Sequence, residues 1–143
     1  MKLVSHILQE KGRTVYTIPP DEIMFNALKI MAEKEVGALV VSEKDSIDGI
    51  VTERDYARKV VLLGKSSKEI TVSEIMSGRV YYIRPQNTLE ECMAVMTEKR
   101  VRHLPVIEDR KLVGIISIGD VVKAVIDDKD FIIDQLVNYI KGS

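Results

Sequence analysis

Apolar positions along this chain alternate between extended and helical spacing, and the whole alternation occurs twice. Val15, Tyr16 and Ile18 form a short extended segment stopped at Pro20, because a proline disfavours continuation of regular structure through the residue before it. Met24, Ala27, Leu28 and Met31 then recur at helical spacing. Two short apolar runs follow, 38–41 and 47–51, separated by Asp45-Ser46, and this pattern predicts a hairpin. A second helix is expected over 53–63, with Gly64 as its stop. The same order returns downstream. Val80, Tyr81 and Ile83 lead to Pro85, and Leu89, Cys92, Met93 and Met96 take helical spacing. Thr88 with Glu91 has the form of a capping box that starts this helix. Runs 103–107 and 112–116, parted by Asp109-Arg110, predict a second hairpin, and 118–126 a closing helix.

A shift of 65 residues lays 15–63 on 80–128 without a gap, and 15 of the 49 paired positions are identical. Ordinary composition would give about three. The chain therefore carries a duplicated strand-helix-strand-strand-helix module. Val4-Ser5-His6-Ile7-Leu8 and Val72-Ser73-Glu74-Ile75-Met76 resemble each other too, so each module is expected to have a helical lead-in. Residues 130–141 place Phe131, Ile132, Leu136, Val137 and Ile140 on one helical face, an extra helix suited to packing back on the modules or to a dimer interface. The expected division is 1–68 for the first module with its lead-in, 69–128 for the second, and 129–143 for the C-terminal helix. The expected fold class is α+β, two pseudo-symmetric modules packed as an intramolecular pair. Modules of about 70 residues are marginal alone, so each is expected to lean on the other.

Composition narrows the function classes. With 21 Lys and Arg against 22 Asp and Glu, the net charge of -1 gives no global field toward nucleic acid or anionic lipid, so any anion site has to be local. No apolar run approaches the ~20 residues that span a bilayer, and the first residues lack a signal peptide's apolar stretch, so a cytoplasmic setting is expected. The single cysteine, Cys92, excludes an internal disulfide, and with two distant histidines no metal centre is expected. Cys92 lies on the inner face of its predicted helix and reads as a buried small hydrophobe. No nucleophile or titratable pair recurs in the two copies, which argues against an enzyme.

One string does recur: Gly49-Ile50-Val51-Thr52-Glu53-Arg54-Asp55 and Gly114-Ile115-Ile116-Ser117-Ile118-Gly119-Asp120, each after a hairpin and before a helix. Thr52 or Ser117 ends a strand and opens a helix, where its hydroxyl and the unpaired backbone N–H groups can hold an anion such as phosphate. Asp55 or Asp120, one turn on, offers acceptor oxygens to neighbouring ribose hydroxyls. The same residues also read as plain helix N-caps with first-turn acids.

The element order and this doubled string resemble a tandem pair of CBS (cystathionine-beta-synthase) domains, the regulatory unit called a Bateman module, of the stand-alone type. The resemblance covers about 1–128. It implies an adenosine nucleotide in the cleft between the repeats, with Asp55 and Asp120 on ribose and Thr52 and Ser117 near phosphate. Positions just before the inner strands face the ligand in such pairs: Gly37 and Ala38, followed by Leu39, leave room for a base or sugar. Their counterparts Arg102 and His103 supply local positive charge, with Pro105 in the same strand; a solvated arginine and a satisfied strand histidine are the other reading. Arg54, Arg58 and Lys59 cluster beside Asp55, where the second copy has Gly119, Lys123 and Ala124, so the two sites are expected to differ. Tyr16, Ile18, Tyr81 and Ile83 are candidate apolar contacts for a purine, or plain core. The ligand expected is AMP or a related adenosine compound (ADP, ATP, NAD(H) or S-adenosylmethionine). With no catalytic region among these residues, the module would act on a separate protein, and its apolar last helix makes a homodimer the expected assembly. The alternative is a structural dimerisation module with vestigial nucleotide sites.

Overall fold

The computed structural model describes residues 2–44 and 46–141; Asp45, one of the expected turn residues, lies outside them. In chain order the elements are α1 (Val4–Lys11), β1 (Thr17–Ile18), α2 (Met24–Lys34), β2 (Ala38–Glu43), β3 (Ser46–Thr52) and α3 (Glu53–Tyr56), which runs on into a π-helical segment, Ala57–Val61. Then come α4 (Val72–Ile75), α5 (Leu89–Lys99), β4 (His103–Glu108), β5 (Lys111–Ser117) and α6 (Ile118–Ile140). Helices and strands are mixed, and the first helix and the hairpin recur at the same places in the two repeats.

The chain forms two compact units, Val15–Val80 and a second made of the stretch up to Thr14 together with the chain from Tyr81 onward. The expected boundary, which gave the N-terminal lead-in to the first repeat, does not match this division. The reason is which core each lead-in fills. Val4, Ile7 and Leu8 of α1 join Leu89, Cys92, Met96, Leu104 and Ile116 in one core, whereas Val72 and Ile75 of α4 join Met24, Met31, Leu39 and Val51 in the other. Burying each such side chain is worth about 1.5–3 kcal/mol, so the lead-in contributes substantially to a unit of this size.

Backbone hydrogen bonds repeat the arrangement. In the contiguous unit, Val72 N–H donates to Glu22 O at 2.8 Å, Ser73 N–H to Pro20 O at 2.9 Å and Met24 N–H to Ile70 O at 2.8 Å. In the other, Val4 N–H donates to Asn87 O at 2.9 Å, Ser5 N–H to Pro85 O at 3.0 Å and Leu89 N–H to Lys2 O at 3.0 Å. The prolines that stop each opening strand thus expose carbonyls that receive the first amides of a lead-in helix, groups that a helix leaves unpaired.

In the contiguous unit β1 pairs parallel to β2 and β2 antiparallel to β3. In the other, β4 and β5 form the predicted hairpin, and the entry segment is reduced to a parallel bridge of Ile83 to Val106. Asp109 and Arg110 both take positive φ, 51° and 65°, the two left-handed residues of a type I′ turn whose twist suits a two-residue hairpin. Thr88 and Glu91 form the predicted capping box, Thr88 N–H donating to Glu91 Oε1 at 3.0 Å and Glu91 N–H to Thr88 Oγ1 at 3.1 Å.

Two helical expectations change. The 53–63 helix tightens into α only as far as Tyr56 before widening into its π-helical turn, and Gly64 ends it at φ 71°. The separate helix expected from 129 is the continuation of α6, one helix of 23 residues. Asp127, Asp128 and Lys129 interrupt the apolar pattern without interrupting the backbone.

The repeated glycine follows from the lead-ins. A Cβ on Gly49 would stand 2.6 Å from Ser77 O and 2.7 Å from Met76 Sδ, and one on Gly114 would stand 2.6 Å from Leu8 Cδ2. Only glycine allows the segment around each lead-in to approach the strand this closely. The obstacle at Gly49 includes backbone, whereas at Gly114 it is the tip of a flexible side chain. Gly49→Ala is therefore expected to cost about 1–3 kcal/mol in chemical denaturation, as overpacking does, and Gly114→Ala less; a larger loss at Gly114 would contradict this account.

Candidate functional site

The polar residues of the repeated string sit at two equivalent strand-to-helix junctions, one per unit. In the contiguous unit Thr52 closes β3 and caps α3. Its hydroxyl accepts from Asp55 N–H at 3.1 Å, while Asp55 Oδ2 accepts from Thr52 N–H at 2.9 Å and from the Thr52 hydroxyl at 3.1 Å. In the other, Ser117 closes β5 and caps α6: its hydroxyl accepts from Asp120 N–H at 3.1 Å, and Asp120 Oδ2 accepts from Ser117 N–H at 2.8 Å. Both pairs are reciprocal capping boxes, so the capping reading describes the geometry of both copies. Capping and ligand holding are compatible, because the box fixes the carboxylate's orientation while using only part of its acceptor capacity.

The flanking backbone is equally matched. Glu53 N–H donates to Gly37 O at 3.1 Å and Ile118 N–H to Arg102 O at 2.8 Å, so the residue before each inner strand is tied to the first turn of the signature helix. Ala38 pairs with Thr52, and His103 with Ser117. Tyr16 O accepts from Val40 N–H at 3.2 Å, and Pro105 O from Ile83 N–H at 3.0 Å. The structure accordingly sorts the candidates into two sets. Tyr16, Ile18, Gly37, Ala38, Leu39, Thr52, Arg54 and Asp55 lie in the contiguous unit, and Ile83, Arg102, His103, Pro105, Ser117 and Asp120 in the other.

Within each set the side chains divide further. Ile18 and Ile83, which the sequence offers as purine contacts or plain core, are buried core members, and so is Leu39. Ala38 and Pro105 are buried as well. Tyr16 is half-buried with the Lys34 ammonium 5.6 Å from its ring centre, and Tyr81 stands likewise under Lys99 at 5.3 Å. Arg54 and Arg102 are exposed, and Gly37, Thr52, Asp55, His103, Ser117 and Asp120 are intermediate.

Two lysines complete the junctions: Lys59, expected in the basic cluster beside Asp55, and Lys11, which no sequence pattern placed there. Lys59 Nζ lies 3.3 Å from Asp55 Oδ1 and donates to Ile75 O at 3.0 Å. Lys11 Nζ lies 2.6 Å from Asp120 Oδ2 and donates to Ile115 O at 2.7 Å. The i, i+4 spacing of Asp55 and Lys59 is a sequence signal for the first pair. Lys11 precedes Asp120 by 109 residues, and no local pattern predicts it.

Electrostatics at the second junction follow from these contacts. Burial pushes the Asp120 carboxyl upward, but hydrogen bonds from Lys11 and from the Ser117 amide, with the Lys11 charge, outweigh it and hold the group below the ordinary aspartate range. Burial lowers the His103 imidazole, and the Lys11 and Arg102 charges lower it further against the pull of Asp120. These effects disfavour the charged form of His103. Of the pair expected to supply positive charge, Arg102 is therefore the stronger contributor. Burial raises the Cys92 thiol to about 11, in keeping with a core residue. Among the described residues no group of three His, Cys, Asp or Glu side chains could hold a metal ion, and no helix is long and apolar enough to cross a membrane.

The comparisons with known proteins agree with the repeat. The family model described as "CBS domain" matches twice, over residues 5–62 and 72–127. A putative signal-transduction protein with CBS domains from Burkholderia ambifaria is 54% identical, with a TM-score of 0.85 over 89% of this chain and 96% of that one. The CBS-domain protein ATU1752 of Agrobacterium tumefaciens is 40% identical, with a TM-score of 0.82 over 86% and 98%. A mitochondrial CBS domain-containing protein of Arabidopsis thaliana, CBSX3, is 36% identical over 97% of this chain and 72% of its own length.

Because its folded-state pKa is lowered, Asp120 contributes stability that is present above the ordinary aspartate value of about 3.9 and is lost as the pH falls through the folded value. Asp120→Asn is thus expected to cost about 1 kcal/mol at pH 7 in urea denaturation, with the gap to the natural protein closing toward pH 3. A gap independent of pH would mean that the carboxylate charge is not its source.

Proposed function

Because the chain belongs to the CBS-domain family, as a tandem pair matched over residues 5–62 and 72–127, we propose that it is a regulatory module that binds an adenosine nucleotide and acts on a separate protein rather than catalysing a reaction. The observation that carries this reading is the recurrence of one polar arrangement. A Thr52–Asp55 box and a Ser117–Asp120 box stand at matching strand-to-helix junctions, each with a fixed carboxylate and a nearby ammonium. A fixed carboxylate suits the paired hydroxyls of ribose, and an ammonium beside it suits phosphate.

The ligand class proposed is AMP or a related compound: ADP, ATP or NAD(H). A CBS pair of the same fold, MJ0100, 23% identical with a TM-score of 0.77, has a structure in complex with 5′-methylthioadenosine and S-adenosyl-L-methionine. That likeness extends to the fold alone, and the assignment here rests on the junction residues. The two junctions differ in charge, Arg54 and Arg58 standing near one and Arg102 near the other, so their ligands or affinities are proposed to differ. Binding would favour one state of the protein over another and so alter the surface offered to its target, as energy or redox conditions change in the cytoplasm.

A second reading, a dimerising module with vestigial sites, is favoured by α6. Phe131, Ile132, Ile133, Leu136, Val137, Tyr139 and Ile140 are all exposed on that helix, 41–81% of each, an accumulation of exposed apolar side chains of the kind that marks an interaction surface. A homodimer through this helix fits either reading.

Calorimetric titration with AMP, ADP, ATP, NAD and NADH separates them. One or more of these is expected to bind, and Asp55→Ala and Asp120→Ala each to weaken binding about tenfold at the junction they alter, as loss of hydrogen bonds to a charged group does. No binding at millimolar ligand, or binding indifferent to both substitutions, would reject the nucleotide reading; a dimer mass unchanged by every nucleotide would then favour the structural one.

A further inference from the structure

We propose that Lys11, and Lys59 in the other unit, make the two junctions select phosphorylated over unphosphorylated nucleosides; the inference rests on the nucleotide reading above. Asp120 Oδ2 already receives two donors, Ser117 N–H at 2.8 Å and Lys11 Nζ at 2.6 Å. A carboxylate oxygen has two lone-pair directions, so this one is filled. A ribose diol that engages both carboxylate oxygens has to displace one donor. The Ser117 amide is held by the cap, whereas Lys11 sits on a flexible stem, so the lysine is the donor that moves.

Displacement takes the ammonium from Asp120 and from Ile115 O, which it meets at 2.7 Å. A neutral nucleoside brings nothing to replace these contacts. A nucleotide brings its phosphate, which accepts a charge-assisted hydrogen bond from the released lysine. Space for the exchange adjoins the ion pair. An open pocket of about 60 Å³ is lined by Ile7, Glu10, Lys11, Asp120, Lys123 and Ala124. It is far below the roughly 300 Å³ of the smallest usual small-molecule pockets. It adds a second ammonium, Lys123, as well as the opposing carboxylate of Glu10.

Asp55 Oδ2 is filled by the Thr52 amide and hydroxyl at 2.9 and 3.1 Å, and Lys59 meets its Oδ1 at 3.3 Å. At Asp55 a ribose diol engaging both oxygens displaces the rotatable Thr52 hydroxyl instead, and Lys59 stays beside the carboxylate within reach of a phosphate. The lysines are not repeat equivalents, since the 65-residue shift puts Ala124 opposite Lys59 and Lys11 lies outside the repeat. Thus the ion pair recurs although the residue does not. Lys11 lies closer to its carboxylate and is less exposed, 31% against 46% for Lys59, so it carries the larger share of the effect.

The test is calorimetric titration of the full chain with AMP and with adenosine. The natural protein is expected to prefer AMP by about tenfold or more, the scale of a hydrogen bond between charged groups. Lys11→Met with Lys59→Met is expected to remove that preference, adenosine tightening as AMP weakens, whereas Lys11→Arg with Lys59→Arg retains it. A cap-stabilising role alone would shift melting and leave the ratio of affinities unchanged. An unchanged ratio in the methionine variant, no AMP preference in the natural protein, or equal loss in the arginine variant overturns the inference and leaves the nucleotide reading standing. Failure of the natural protein to bind any adenosine compound removes the reading and the inference with it.

Discussion

Neither repeat closes its own core. Each sheet and first helix leave an apolar face that only a lead-in helix covers, through Val72 and Ile75 in one unit and Val4, Ile7 and Leu8 in the other. From that requirement come the repeated glycines, which let the lead-in region approach β3 and β5, and the proline-bounded loops whose carbonyls receive the lead-in's first amides. The chain's connectivity follows as well. The lead-in that follows the first repeat completes it, and the second repeat is completed by the N-terminus. A unit of about 60 residues buries only about 60% of the surface its unfolded chain exposes, so a missing turn of helix weighs more here than it would in a larger domain.

The same constraint shapes the candidate sites. The signature strand ends where the signature helix begins, and the capping box converts that junction into a fixed presentation of one carboxylate. A cap worth about 1 kcal/mol is a modest stabiliser, but its geometric consequence is larger. With one oxygen turned onto the backbone amide, the aspartate cannot rotate freely, and whatever approaches the junction meets a carboxylate of defined orientation. Structural and binding roles of these residues are therefore not rivals; the cap preorganises the group that the ligand would use.

Much of this was legible from local pattern, and the reason is that the relevant interactions are local. The Thr88–Glu91 box, the Asp109-Arg110 turn, both hairpins and the helix faces carrying Met24 to Met31 and Leu89 to Met96 depend on residues within a few positions of each other. The destination of α1 was not legible, because its similarity to α4 shows that it is a lead-in without saying which repeat it completes. The position of Lys11 on Asp120 was hidden for the same reason. The unbroken course of α6 was misread because polar residues at 127–129 suggest a connector by hydropathy, yet on a helix whose surrounding residues are largely exposed they cost little. Ile18, Leu39 and Ile83 illustrate the opposite ambiguity. An apolar strand residue beside a junction has the same pattern whether it contacts a ring or fills a core, and here all three fill cores.

The lysines show how a duplicated module can become asymmetric without losing its geometry. In the contiguous unit the lysine belongs to the π-helical segment after the signature and reaches back to Ile75 O of the lead-in; in the other it belongs to the lead-in and reaches Ile115 O on the signature strand. Both tie carboxylate, strand end and lead-in into one linkage, from opposite directions. Moving Lys59 alters a contact at the end of α4, whereas moving Lys11 alters the last turn of α1 itself. The Asp120 carboxylate is thus bound to a side chain of the helix that completes its unit's core, whereas Asp55 is linked to the corresponding helix only through Lys59 and the Ile75 carbonyl. Two junctions with matching caps and matching charge pairs are thereby linked differently to their cores, and the difference arises from which element supplies the lysine rather than from the repeated string.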